Sequence, residues 1–294
     1  MKKRGKNINI YLTEGKADGI IKCTLANWTG VAYKIPRDLL KECTDRSDLK
    51  QSGVYFLFGA SDENTDPVIY VGQAGVRKNG EGILNRLQEH KADQEKDFWS
   101  EAVVFTTSNN SFGPTEISYL ENRFCALAKE AGRYKIKNGN EPSQGHVTEE
   151  KESELEEFIE NAKIIMGVLD HKVFQPLVKT QTTEPIDSSS DNRETVFYIK
   201  SGGADAKAML TSEGIVVLAG SVLRSSPSTS CASHIVKTRE NYRQLIDKYN
   251  ILQKDVLFKT PSGASNFVLL RNSSGYLEWK TEDGVTLGEY ERRE

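Results

Sequence analysis

Residues 178–194, VKTQTTEPIDSSSDNRE, are polar, rich in Ser and Thr and without hydrophobic periodicity. This run most constrains the fold, because such a segment cannot bury enough apolar surface to offset the ordering of its backbone. It reads as a linker, and the 294 residues then divide into two globular pieces, as a length of roughly 100–200 residues per domain also implies. A content of 37% hydrophobic and 28% charged residues supplies enough apolar material for two cores. The expected divisions are an N-terminal extension (1–48), a first domain with a trailing acidic helix (49–177), the linker (178–194) and a C-terminal α+β domain (195–294).

Several classes fall away on pattern. No segment approaches the ~20 consecutive apolar residues of a membrane span. The start, MKKRGKNINIYLTEGKADG, is basic but lacks the apolar core of a secretory signal. Cys23, Cys43, Cys125 and Cys231 are far apart and form no CxxC, so buried free thiols and a cytoplasmic location are expected. The net charge of -3 argues at first against a polyanion partner. The charge is uneven, however: residues 1–48 carry ten Lys and Arg against six acids, whereas 49–194 carry sixteen against twenty-five. Seven glutamates between 149 and 160 account for much of that deficit, and read as a solvated helix face. Lys129, Arg133, Lys135 and Lys137 form a local basic cluster, so modest, local binding of a polyanion stays open.

Hydrophobic pattern predicts the elements. In 1–48, Ile8–Leu12 and Ile20–Leu25 read as strands, Asn27–Gly30 as a turn, and Pro36 as the opening of a short helix over 37–43. Gly53–Phe58 and Val68–Gly72 are apolar strands joined by a polar loop, 61–67. Helices follow at 83–91, 116–131 and 148–170, with a strand at 102–106. Beyond the linker, 197–199 and 215–218 read as strands around a helical 204–210, with a helix over 238–249 and Trp279 near a last hairpin. The run 260–266 reads as a helix cap rather than a phosphate loop.

Polar residues interrupt this pattern at informative points. Arg86 and His90 are four apart on one predicted helix and share a face, either as a solvated surface beside Glu89 or as a phosphate ligand and a proton relay. Glu121 lies among Ile117, Leu120 and Phe124, on the apolar side of its helix. A carboxyl there is paired, for instance with Arg86, is protonated, or binds a hard cation; Glu116 is the rival acid. Tyr55 and Tyr70 each sit two residues from a glycine, either as ordinary strand aromatics or beside a closely approaching ligand. His146, His171 and His234 lack partners at metal spacing and read as structural or surface residues.

Gly53-Val54-Tyr55, then Tyr70-Val71-Gly72, then Arg86-x3-His90, Glu121 and Asn138 occur in the order that marks the GIY-YIG endonucleases. Residues 50–140 resemble that family, with one aliphatic exchange in each tripeptide. The regions around Trp28, and 219–265, resemble the extension and the uncharacterised C-terminal domain of a bacterial subgroup. The resemblance implies an α+β fold: a small nuclease domain with a short three-stranded antiparallel sheet flanked by helices, then a second small α+β domain. It implies a metal-dependent endonuclease that hydrolyses DNA phosphodiesters, with Tyr55, Tyr70, Arg86, His90, Glu121 and Asn138 as catalytic residues. Glu121 would hold Mg²⁺ or Mn²⁺, and Gly72, Lys135 and Lys137 would bind substrate; Asn140 is the alternative to Asn138. Tyr55, assisted by His90, would activate the attacking water, and Arg86 would stabilise phosphoryl charge. DNA is the expected partner and no membrane is expected, with 195–294 as the candidate surface for a protein partner. The competing reading is a non-catalytic nucleic-acid-binding or regulatory protein on the same fold.

Overall fold

The computed structural model describes residues 5–61, 66–76, 82–139, 142, 144–178 and 195–293. Asn140, the tips of the loops after residues 61 and 76, and 179–194 of the expected linker lie outside the described residues. The chain forms two units, Met1–Pro176 and Leu177–Glu294, each mixed α+β with its own sheet. Among the described residues no helix is long and apolar enough to cross a membrane.

The first unit is built on a seven-stranded sheet: β1 (Ile8–Leu12), β2 (Ile21–Leu25), β3 (Gly30–Pro36), β4 (Gly53–Ala60), β5 (Pro67–Ala74), β6 (Trp99–Thr107) and β7 (Lys135–Ile136), in the spatial order β1-β2-β3-β6-β4-β5-β7. This corrects the expected three strands. In a three-stranded sheet, β6 would leave one row of backbone groups unpaired although its residues from Ala102 to Thr107 are buried, an unfavourable arrangement. Instead β3 pairs with it antiparallel, from Gly30 opposite Thr107 to Pro36 opposite Glu101. Residues 1–48 are therefore part of the first unit and not an appendage. Trp28 packs on Phe158 with ring centroids 4.8 Å apart, and Lys6 donates to Asn161 over 2.5 Å, so the same segment also grips a helix.

That helix is α3 (Glu149–Val168), which shares one face of the sheet with α2 (Pro114–Ala131). Side chains at alternate strand positions (Val54, Phe56, Phe58, Ile69, Val71, Val103, Phe105) point into this core. The opposite positions (Tyr55, Leu57, Val104) face a second core closed by α1 (Ile83–Ala92) and two 3-10 turns, Asp38–Cys43 and Ser47–Lys50. Cys23, Cys43 and Cys125 are buried free thiols and Cys231 is half-buried. The acidic α3 is not simply a solvated face: Tyr119 Oη donates to Glu152 (3.1 Å) and Glu156 (2.8 Å), and Arg123 pairs with Glu156.

The second unit has a four-stranded antiparallel sheet of β8 (Val196–Ser201), β9 (Ala204–Thr211), β10 (Gly214–Val217) and β11 (Val256–Phe258), in the order β11-β10-β9-β8. Its helices are α4 (Ser233–Asn241), α5 (Pro261–Leu269), α6 (Gly275–Glu278) and α7 (Leu287–Tyr290). The predicted helix at 204–210 is strand β9. Gly202 and Gly203, both at positive φ, make the two-residue turn between β8 and β9, and the buried-exposed alternation of β9 overrides the helix propensity of Ala, Lys, Met and Leu. The helix expected over 238–249 ends by Asn241 and is followed by a 3-10 turn. Trp279 follows α6 and opens a tight antiparallel return, as expected: Lys280 bridges Thr286 and the Leu287 amide donates to the Trp279 carbonyl. The indole is fully buried and its Nε1 donates to the Pro261 carbonyl. Thr260 caps α5 by accepting from the Gly263 amide.

In the first unit, Asp48 accepts from Lys22 Nζ (2.8 Å) and Tyr33 Oη (2.6 Å). Burial raises its carboxyl, but these two bonds outweigh that and hold it below the ordinary range. A depressed folded-state value gives stability that is present above the unfolded value of ~3.9 and is lost as pH falls through the folded one. Asp48→Asn is expected to destabilise the first unit by about 1–3 kcal/mol at neutral pH. It should also flatten the loss of stability in acid, as measured by urea denaturation at neutral and acidic pH.

Candidate active site

Strand alternation brings Tyr55 of β4 and Tyr70 of β5 to the face covered by α1, where their rings stack at 6.3 Å. Residue 72 is directly opposite Tyr55 in the β4–β5 ladder. A Cβ there would come within 2.3 Å of Tyr55 Oη, so Gly72 leaves room for the phenol to cross the neighbouring strand. The helix spacing of four residues directs Arg86 and His90 of α1 toward these rings. His90 is buried, its Nε2 is 2.6 Å from Tyr55 Oη, and its ring is 5.4 Å from both tyrosine rings.

Glu121 approaches from α2 and completes the cluster. It is half-buried, bonds Gln73 through both side chain and backbone, and feels the charge of Arg86. Arg86 makes its ion pair with Glu89, at 2.6 Å, and not with Glu121. Glu116, the rival acid, is engaged elsewhere: its Oε2 accepts from the Gly113 amide and caps α2.

The electrostatics follow from burial. Desolvation raises Tyr55 far above an ordinary phenol, helped by Tyr70 and Glu121 and opposed by Arg86. Tyr70 is raised by burial and by Glu121. Desolvation, Lys96 and Arg86 push His90 down to about 4, so its imidazole is neutral at physiological pH. Burial raises the Glu121 carboxyl, against Gln73 and Arg86. Two tyrosines, a neutral histidine, one guanidinium and one carboxylate thus share a partly open pocket. Such a set can bind an anion and hold a proton at a tyrosine oxygen.

Asn138 has a different position. Its Oδ1 accepts from the Val71 amide (3.1 Å) and its Nδ2 donates to the Val71 carbonyl (2.7 Å). The side chain therefore continues the β5–β7 ladder, whose backbone pairing ends with the Lys137 amide on the Ile69 carbonyl, and it fixes the segment between Tyr70 and Gly72. Lys135 and Lys137 are exposed on this edge, with Lys137 Nζ 5.9 Å from the Phe98 ring centroid. Arg133 of the basic cluster donates to the Gln175 carbonyl. His171 stacks on Phe58 at 3.6 Å, away from the pocket.

Two contributors carry no sequence signal that would single them out. Gln73 follows the Tyr70–Gly72 tripeptide as an ordinary strand residue. Lys96 is six residues after His90, past the end of α1, yet its Nζ lies 3.1 Å from His90 Nδ1 and 4.2 Å from the Tyr70 ring centroid. Among the described residues, no group of three or more His, Cys, Asp or Glu side chains gathers as a metal cluster. Glu121 is the carboxylate that could serve a hard cation here, in a setting where substrate oxygens and water fill the other positions.

A family model described as a domain of unknown function, DUF4357, matches residues 197–291. The second unit is thus similar to that family, and the pocket around Tyr55 lies outside the matched residues. No curated protein and no solved structure matches the chain.

Two substitutions test how the pocket is held. Gly72→Ala is expected to displace the Tyr55 phenol and destabilise the first unit by about 1–3 kcal/mol, measurable as a lower urea midpoint. Asn138→Ala leaves the Val71 amide and carbonyl without their partner and should destabilise by about 1–3 kcal/mol. Hydrogen exchange should then be faster at the Val71 amide than in β4.

Proposed function

We propose that the first unit is a GIY-YIG-type endonuclease that hydrolyses DNA phosphodiester bonds with the help of a divalent cation. The observation that carries this reading is the convergence of Tyr55, Tyr70, Arg86, His90 and Glu121, drawn from two strands and two helices, on one pocket bounded by the buried Tyr55–His90 hydrogen bond of 2.6 Å. A binding surface alone gives no reason to half-bury a carboxylate beside two tyrosines, since that burial is unfavourable without a task or a partner.

In this reading Arg86 takes the scissile phosphate, and its planar donors suit the phosphoryl oxygens. The phosphate competes with the Glu89 carboxylate for the guanidinium. Tyr55 orients the attacking water, with its oxygen held by His90 and its phenol fixed over Gly72. Tyr70 lines the other side of the water. A Mg²⁺ or Mn²⁺ ion, held by Glu121 together with substrate oxygens and water, would neutralise charge on the phosphate and on the leaving oxygen. Lys135 and Lys137 would meet flanking phosphates of the strand.

The test is nicking of supercoiled plasmid in Mg²⁺. Wild-type protein is expected to cut, Arg86→Ala to lose roughly 100-fold or more in rate, and Glu121→Gln to lose cutting altogether. Burial holds Glu121 above the ordinary glutamate range, so the acid limb of the cleavage profile is expected above ~4.3. Cutting that survives Glu121→Gln, or DNA retention without cutting in either metal, would overturn the reading; the second result is that of a non-catalytic binder.

A further inference from the structure

We propose that Lys96 is a positioning residue that fixes His90 in one tautomer, with the proton on Nε2, so that the imidazole donates a hydrogen bond to Tyr55 Oη and does not accept one. The catalytic consequence rests on the nuclease reading; the tautomer does not.

The argument is one of donors and acceptors. A lysine ammonium carries three donors and no acceptor. Lys96 Nζ lies 3.1 Å from His90 Nδ1, which must then offer its lone pair. A neutral imidazole has one protonated nitrogen, so the proton is on Nε2, which faces Tyr55 Oη at 2.6 Å. The phenol oxygen then receives, and its own hydrogen points away from His90. Loss of that hydrogen leaves an oxygen already held by a donor.

The surroundings oppose a second proton on the ring. His90 is buried, with Lys96 and Arg86 disfavouring the imidazolium and Asp93 and Glu89 favouring it less strongly. Lys96 is itself held. Its ammonium lies over the Tyr70 ring at 4.2 Å. The segment that carries it is clamped by Arg37, whose guanidinium donates to the carbonyls of Lys91, Asp97 and Trp99 and lies 4.9 Å from the Trp99 ring centroid. Lys91 Nζ returns a bond to the Arg37 carbonyl, at 2.8 Å. Arg37 directly follows β3 and precedes the 3-10 turn Asp38–Cys43, so residues 1–48 reach the pocket through this loop.

The test is long-range ¹⁵N–¹H correlation of the imidazoles in the full-length protein at neutral pH. The chain has four histidines; each is assigned by its own substitution, and His90 also by elimination if its variant does not fold. Wild-type His90 is expected as the neutral Nε2–H form. Lys96→Met should introduce the Nδ1–H form, and Lys96→Arg, which keeps a donor at Nδ1, should restore the wild-type pattern. Wild-type protein with Nδ1 protonated, or a Lys96→Met variant with an unchanged pattern, would overturn the proposal. In plasmid nicking, Lys96→Met should lower kcat by roughly 10-fold to 100-fold with KM little changed. The tautomer is read without substrate, so a wild-type protein that shows the Nε2–H form and cuts no DNA defeats the nuclease reading alone.

Discussion

Strand β4 is paired along both edges, by β5 and by β6, and is buried from Gly53 to Phe58. A strand in that position has no freedom of register: a one-residue slip would exchange the contents of both cores. The alternation therefore commits Val54, Phe56 and Phe58 to the side of α2 and α3, and Tyr55 and Leu57 to the side of α1. The rest of the pocket depends on this. With Tyr55 committed to the α1 face, its partner across the ladder has to be a glycine, and the residues of α1 one turn apart have to be polar. Gly72, Arg86 and His90 are the consequences of a single buried tyrosine.

The same burial sets the electrostatic character of the pocket. Four polar groups are drawn out of water together, and each is pushed toward its neutral form: the two tyrosines upward, the histidine downward, the glutamate upward. The exceptions are the cations. Arg86 remains charged through its pair with Glu89, and Lys96 lies against His90 and Tyr70. A site whose acids are pushed toward neutrality beside two basic side chains has electrostatic capacity for an anion, and its proton chemistry is governed by whatever neutralises the negative charge that enters.

Much of this was legible in the sequence because it follows local periodicity. The spacing of Arg86 and His90, the apolar setting of Glu121, and the strands around Tyr55 and Tyr70 are short-range features. What was not legible is long-range. Nothing in Gly30–Pro36 announces that it pairs with Trp99–Thr107, sixty-odd residues later, so the three-stranded sheet became seven-stranded. Asn138 could be picked by spacing, but its grip on the Val71 backbone depends on where β7 meets β5. Lys96 follows no helical spacing from His90; a short turn beyond α1 delivers it. In the second unit the signal was present and was outweighed: Gly202-Gly203 is a hairpin turn, and the following alanines alternate in burial although their composition favours a helix.

Charge patterning needs the same correction from structure. The seven glutamates of 149–160 dominate the net charge of the first unit, but they are not equivalent. Glu156 is neutralised by Arg123 and, with Glu152, accepts from Tyr119, so part of the acidity joins α3 to α2. The basic cluster divides in the opposite sense. Arg133 is committed to a backbone carbonyl, while Lys135 and Lys137 stand exposed beside Asn138, on the edge that leads to the pocket. Two lysines there give a smaller cationic field than four would, and counterion release scales with the number of phosphates neutralised. On the proposed nuclease reading, affinity for a phosphodiester would come from Arg86 and the groups clustered around it more than from the surface lysines.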